Sequence, residues 1–175
     1  MNNIVIDLTM PLYTGMRVFP GDPEVKLEIV HTHEANTWEL RRLEMGSHTG
    51  THVDAYSHMH EGGATLDEIP LHRFFGKARV VERHSDWPAE TGLFFTDEAG
   101  MELADKIVSR KPGFVGGNIT EELQRTLLGH SIVTYTDLIN LERIPKEQNF
   151  MFYGLPLKIK NGDGSPVRAI AILEG

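Results

Sequence analysis

From His48 to His60 the chain reads HTGTHVDAYSHMH, which gathers four of its nine histidines and one aspartate into thirteen positions. Neutral imidazole nitrogens and carboxylate oxygens are standard ligands for Zn2+ and Mn2+. A fold that accommodates this segment must therefore bring polar side chains together instead of dispersing them over the surface. His48 and His52 are four apart, as on one helical face. However, Thr49, Gly50 and Thr51 between them are poor helix formers. The spacing instead predicts a tight turn or irregular loop around a metal, with Gly50 letting the backbone pass close to the ion. Asp54 lies two residues past His52, so an extended stretch turns both side chains to one side. A lone histidine is usually a solvated or hydrogen-bonded side chain, and His31, His33, His72, His84 and His130 are read that way. The full spacing His-x3-His-x-Asp-x3-His is read as a metal site.

The 175 residues fit one domain spanning 1–175. Strands are expected at residues 3–9, 25–33, 37–45, 76–83, 131–135, 150–159 and 167–173. Residues 10–23, with three prolines and two glycines, read as a loop. In 25–33 the alternation puts Val25, Leu27, Ile29 and His31 on one face. Thr96 is expected to cap a helix carrying Ala99, Leu103, Ala104, Ile107 and Val108. A second helix starts at Thr120, carries Leu123, Leu127 and Leu128, and stops at Gly129. Asn161-Gly162 between two apolar runs signals a hairpin. The expected fold class is α/β, with mixed strands and a few helices.

Charge and composition narrow the function. Seventeen basic against 25 acidic residues give a net charge of −8, which phosphate backbones repel, so nucleic acid is not expected as a partner. The sequence has no apolar run of about 18 residues and therefore no expected membrane span. Its opening residues, MNNIVID, lack the basic and apolar regions of a signal peptide. The absence of cysteine excludes disulfides and thiolate ligands, and fits a reducing compartment. These features leave a cytoplasmic enzyme or binding protein for a small molecule. Serine chemistry has no support, because no serine sits in Gly-x-Ser-x-Gly. HExxH is absent too, since His60-Glu61 is followed by Ala64 where that motif needs histidine.

His48, Gly50, Thr51, His52, Asp54 and His58 closely resemble the His-x-Gly-Thr-His-x-Asp-Ala-x-x-His signature of the cyclase-like metal hydrolases. That family includes bacterial kynurenine formamidases and isatin hydrolases. Asp7-Leu8-Thr9 followed by Phe19-Pro20-Gly21-Asp22 is similar to its N-terminal strand and substrate loop. Gly154-Leu155-Pro156-Leu157 and Asp163-Gly164-Ser165-Pro166-Val167-Arg168-Ala169 resemble its C-terminal hairpin. The resemblance implies a swivelling β/β/α fold with a mixed sheet and metal-assisted hydrolysis of an amide, formamide or cyclic amide, arylformamidase-like in the best match. It also implies metal ligands at His48, His52 and Asp54, a general acid/base at His58, and a pocket aromatic at Phe19. The implied metal is Zn2+, with Mn2+ as the alternative, and the implied assembly is a homo-oligomer.

Three protein ligands leave a position open for water, which the metal activates while His58 carries its proton to the leaving amine. A fourth ligand or an orienting group is the other reading of His58; His60 reads as an outer or surface residue. The chain departs from the family where a second metal would bind. Aligned without a gap on Leu127-Leu128, Gln124 stands for the family histidine and Thr136 for the family glutamate. Shifted by one, Arg125 and Asp137 do. That departure keeps open a second reading, a family member that binds metal and a small molecule without catalysis. Retention of His58 argues against it.

Overall fold

A computed structural model of the chain describes residues 3–174. Its strands are β1 (Ile4–Asp7), β2 (Lys26–His31), β3 (Leu40–Glu44), β4 (His52–Asp54), β5 (Phe75–Val80), β6 (Gly92–Ala99), β7 (Phe114–Ile119), β8 (Val133–Thr136), β9 (Asn149–Tyr153), β10 (Gly164–Pro166) and β11 (Ile170–Leu173). The helices are α1 (His33–Asn36), α2 (Ala104–Arg110) and α3 (Glu121–Gly129). Nine strands form one sheet in the order β1-β11-β9-β5-β6-β7-β8-β4-β10. Pairing is parallel from β5 through β8 and antiparallel elsewhere. This is the α/β class with a mixed sheet that the sequence leads one to expect.

The parallel centre is buried on both faces. Leu93 and Phe95 of β6 pack with Val115, Ile107, Leu123 and Leu127 beneath α2 and α3. Phe94 between them points the other way, into a cluster with Phe114, Tyr135 and Phe152, its ring 4.8 Å from that of Phe152. The period of two along β6 thus feeds both apolar layers. Phe114 fills the space beside Gly92, where an added Cβ would meet its ring at 1.9 Å.

Two expectations need correcting here. Thr96 is not a helix cap: it lies inside β6, and the helix starts eight residues later at Ala104. Leu93-Phe94-Phe95 is apolar without alternation because both faces are covered, so it shows no strand period. β7 was likewise hidden, by Gly116 and Gly117. The second correction concerns residues 25–33. Val25 is buried, but Ile29 is 50% exposed, and β2 pairs only with β3 in a separate two-stranded sheet. The strand is also shorter than expected, Lys26–His31, and a register shift between Ile29 and His31 interrupts the alternation.

The helix expected at Thr120 is present, and the Thr120 hydroxyl accepts a hydrogen bond from the Leu123 amide. Gly129 is its last residue. The Asn161-Gly162 turn closes only a single bridge, Pro156 to Val167. Beyond it β10 leaves to pair with β4, while β11 pairs with β9. That departure of β10 carries Asp163 to the histidines.

Candidate metal centre

Strand β4 runs between β8 and β10, with His52 opposite Thr136 and Asp54 opposite both Thr134 and Gly164. The turn before it is irregular. Gly50 adopts φ 61°, and a Cβ there would approach Leu12 Cδ2 at 2.8 Å, so the turn needs glycine. Extended backbone from His52 to Asp54 points both side chains to one side of β4, as the spacing predicts. His58 follows on a 3-10 turn, Tyr56–His58, whose last amide bonds the Ala55 carbonyl.

The Asp54 carboxylate is fully buried and its two oxygens have different partners. Oδ1 lies 2.8 Å from His48 Nδ1 and 3.4 Å from His52 Nε2. Oδ2 accepts hydrogen bonds from the Gln124 amide at 2.6 Å and the Thr134 hydroxyl at 2.8 Å. Burial pushes the Asp54 carboxyl up, but the hydrogen bonds and charge of His48 and His52 outweigh it and hold it far below the usual range. His52 Nδ1 is 2.6 Å from the Gly50 carbonyl. A carbonyl only accepts, so Nδ1 carries a proton and donates it to Gly50. Nε2 lies 2.8 Å from the Thr136 hydroxyl.

His48 lies between two carboxylates, with Nε2 2.9 Å from Asp163 Oδ2. Burial lowers its pKa, yet the bonds to Asp54 and Asp163 prevail and raise it above its ordinary value. Its ring lies 3.8 Å from that of His58, tilted 31°. Burial first, and then the neighbouring His48 charge, hold His58 below the usual imidazole range. A neutral His58 near pH 7 is available to accept a proton.

These donors suit a divalent ion. In tetrahedral coordination at about 2.0–2.1 Å, neighbouring ligand atoms lie roughly 3.3–3.4 Å apart. His52 Nε2 and Asp54 Oδ1 are at that separation, and His48 Nδ1 is drawn closer by its hydrogen bond. Among the described residues, the three that place one ligand atom each within 4.8 Å of one another are His48, Asp54 and His58, a group that does not include His52. The other Asp54 oxygen, Oδ2, already accepts two hydrogen bonds. The ungapped register is the one observed: Gln124 and Thr136 reach the site. Arg125 points instead to Glu121 and the Met59 carbonyl. Asp137 supplies its main-chain carbonyl to Thr51.

Of the other candidates, His60 bonds the Arg125 carbonyl at the surface. His130 is exposed at the end of α3. Phe19 is 69% exposed, which excludes a core role. Its loop reaches the site's turn through Met10, Leu12 and Met16, all against Gly50. Asp163 and Thr134 were not foreseen as site residues. The sequence signals for Asp163 were its place in the Asn161–Gly164 turn and in the stretch that resembles the family's C-terminal hairpin, and neither marks it as a site residue.

The Cyclase family model matches residues 6–109. A kynurenine formamidase of Salinibacter ruber is 30% identical over 204 aligned residues, covering 95% of this chain and 96% of its own length. A kynurenine formamidase of Bacillus cytotoxicus is 24% identical, covering 94% and 95%. Among solved structures, an isatin hydrolase bound to the product analogue thioisatinate superposes with a TM-score of 0.83 at 17% identity, covering 99% of this chain and 93% of its own. Isatin hydrolase A from Labrenzia aggregata, bound to benzyl benzoate, gives 0.80 at 21% identity, covering 98% and 94%. The shared fold spans nearly the whole chain.

Proposed function

The chain belongs to the Cyclase family, and from that premise we propose a metal-dependent hydrolase of amide-type C–N bonds, with an arylformamide as its best-fitting substrate. The observation that carries the proposal is a buried carboxylate, Asp54, converging with His48 and His52 while His58 stands beside them. His48, His52 and Asp54 would hold the ion, Zn2+ before Mn2+ for this N/O donor set. When bound, the ion supplies Lewis acidity toward water and the scissile carbonyl. The protein's own residues do the rest. Gly50 and Thr136 fix the His52 ring, and Gln124 and Thr134 fix Asp54. His58 accepts the proton of the attacking water and returns it to the leaving nitrogen. The decisive assay is hydrolysis of N-formylkynurenine, isatin and simple cyclic amides with added Zn2+ or Mn2+. Turnover that stops on chelation is expected. A metal-loaded protein that turns over none of them supports the non-catalytic binder.

Because Asp54 Oδ2 is already satisfied, calorimetric titration of metal-free protein with Zn2+ is expected to find one tight site per chain. Two would show that other residues rebuild the second site. The affinity also depends on pH. The His48 pKa is raised, so metal-free His48 holds its proton at and below about pH 6.5. A ligand must shed that proton, so affinity weakens as pH falls through the raised pKa, by about tenfold per unit for one displaced proton. Titrations at pH 6 and pH 8 that give equal affinity would remove His48 from the ligand set.

Phe19, exposed on the loop beside Gly50, serves as the aromatic wall of the substrate pocket. Phe19→Ala is expected to raise KM for an aromatic substrate several-fold with little change in Tm, as an exposed side chain loses little packing. The active assembly is a homo-oligomer in the cytoplasm. Its support is the β2–β3 ribbon, which leaves Ile29, Val30, Leu40 and Leu43 exposed, since a two-stranded hairpin is marginal without cover. Light scattering on the eluting protein reads the oligomer directly.

A further inference from the structure

The nearest unassigned charge to the histidines is Asp163, which reaches them from the far end of the sequence. Its Oδ2 is 2.9 Å from His48 Nε2 and 3.6 Å from His58 Nδ1. Its Oδ1 accepts the Ser47 hydroxyl at 3.0 Å. The main chain is fastened as well. The Ala55 amide bonds the Asp163 carbonyl at 2.9 Å, and the His58 amide bonds the Ala55 carbonyl at 3.1 Å. Residue 164 must be glycine for this approach, because a Cβ there would lie 2.3 Å from the His48 ring. Turn, side chain and backbone therefore converge on one carboxylate.

We infer that Asp163 is a positioning residue of the metal centre: a single carboxylate oxygen holds the outer nitrogen of His48 and stands within reach of His58. A histidine that binds metal through one nitrogen nearly always gives its other N–H to a carboxylate or carbonyl, which fixes the ring and its tautomer. Here Nδ1 faces Asp54 and Nε2 faces Asp163, so the second carboxylate selects Nδ1 for the ion. The same oxygen sets the His58 ring against His48, at the 3.8 Å separation observed. The inference rests on the reading of His48 as ligand and His58 as proton carrier.

Asp163→Asn tests it in the full chain. The change keeps the shape and the main-chain bond to Ala55, so the fold is retained. Zn2+ affinity by chelator competition is expected to fall about 10–100-fold, the usual cost of losing such a partner. Imidazole 15N spectra of the zinc-loaded variant are expected to show His48 losing its single Nε2–H tautomer. Asp163→Glu, which restores the charge, is expected to recover part of the affinity. A merely structural role would lower Tm and leave affinity and tautomer unchanged. Wild-type affinity and tautomer in Asp163→Asn, alongside a metal-free His48→Ala, would overturn the role of Asp163 alone. Wild-type metal content in His48→Ala would instead overturn the ligand assignment beneath it.

Discussion

Asp54→Ala is expected to abolish tight metal binding and to cost the fold as well. The carboxylate has no exposed surface and accepts four interactions: His48 and His52 on one oxygen, Gln124 and Thr134 on the other. Removing the charged partner of a buried cluster typically costs about 3–5 kcal/mol of stability. The orphaned Gln124 and Thr134 donors add about 1–3 kcal/mol each to the loss of stability. Asp54→Asn separates the two effects. It keeps the volume and an acceptor for Thr134, so the protein folds, yet it removes the charge the ion needs. Elemental analysis of the purified variants, with His48→Ala and His52→Ala beside them, reads the metal content. Wild-type content in all of them would end the case for this centre.

His58→Ala should give the largest kinetic effect with the smallest structural one. Its side chain is partly exposed and makes no short hydrogen bond, only the 3.6 Å approach to Asp163. The variant is expected to keep its ion and its Tm while kcat falls about 10²–10⁴-fold, the usual worth of a general acid/base. The opposite outcome is equally informative. His48, Asp54 and His58 lie close enough to share an ion. A metal-free His58→Ala would make His58 a ligand and move the proton carrier elsewhere.

The site was legible in the sequence where its geometry is local. His48 to His58 spans eleven residues, and the loop-then-strand reading follows from Gly50 and from the two-residue step between His52 and Asp54. The Thr120 cap was legible for the same reason, since capping is decided within three residues. What lay beyond reach depends on pairing over long separations. Asp163 meets His48 across 115 positions, and nothing in the turn around it points to that partner. The choice between Gln124 and Arg125 turns on about 100° of helical rotation, which only the packing of α3 against β8 fixes. β6 was missed for a physical reason of its own. A strand covered on both faces loses the alternation that marks a half-buried one, so Thr96 looked like the start of a helix.

The pairing of β1 with β11, and of β4 with β10, has a consequence for the order of events on the ribosome. β11 lies between β1 and β9, and β10 brings Asp163 to His48. Until residues 163–173 have left the exit tunnel, β1 has no neighbour, β4 has an open edge, and His48 lacks its outer carboxylate. A nascent chain holding only the HTGTHVD segment carries the ligands without the frame that spaces them. Such long-range closure is slow compared with local folding. A ribosome-stalled chain ending at residue 160 is therefore expected to bind zinc far more weakly than the chain of residues 1–175.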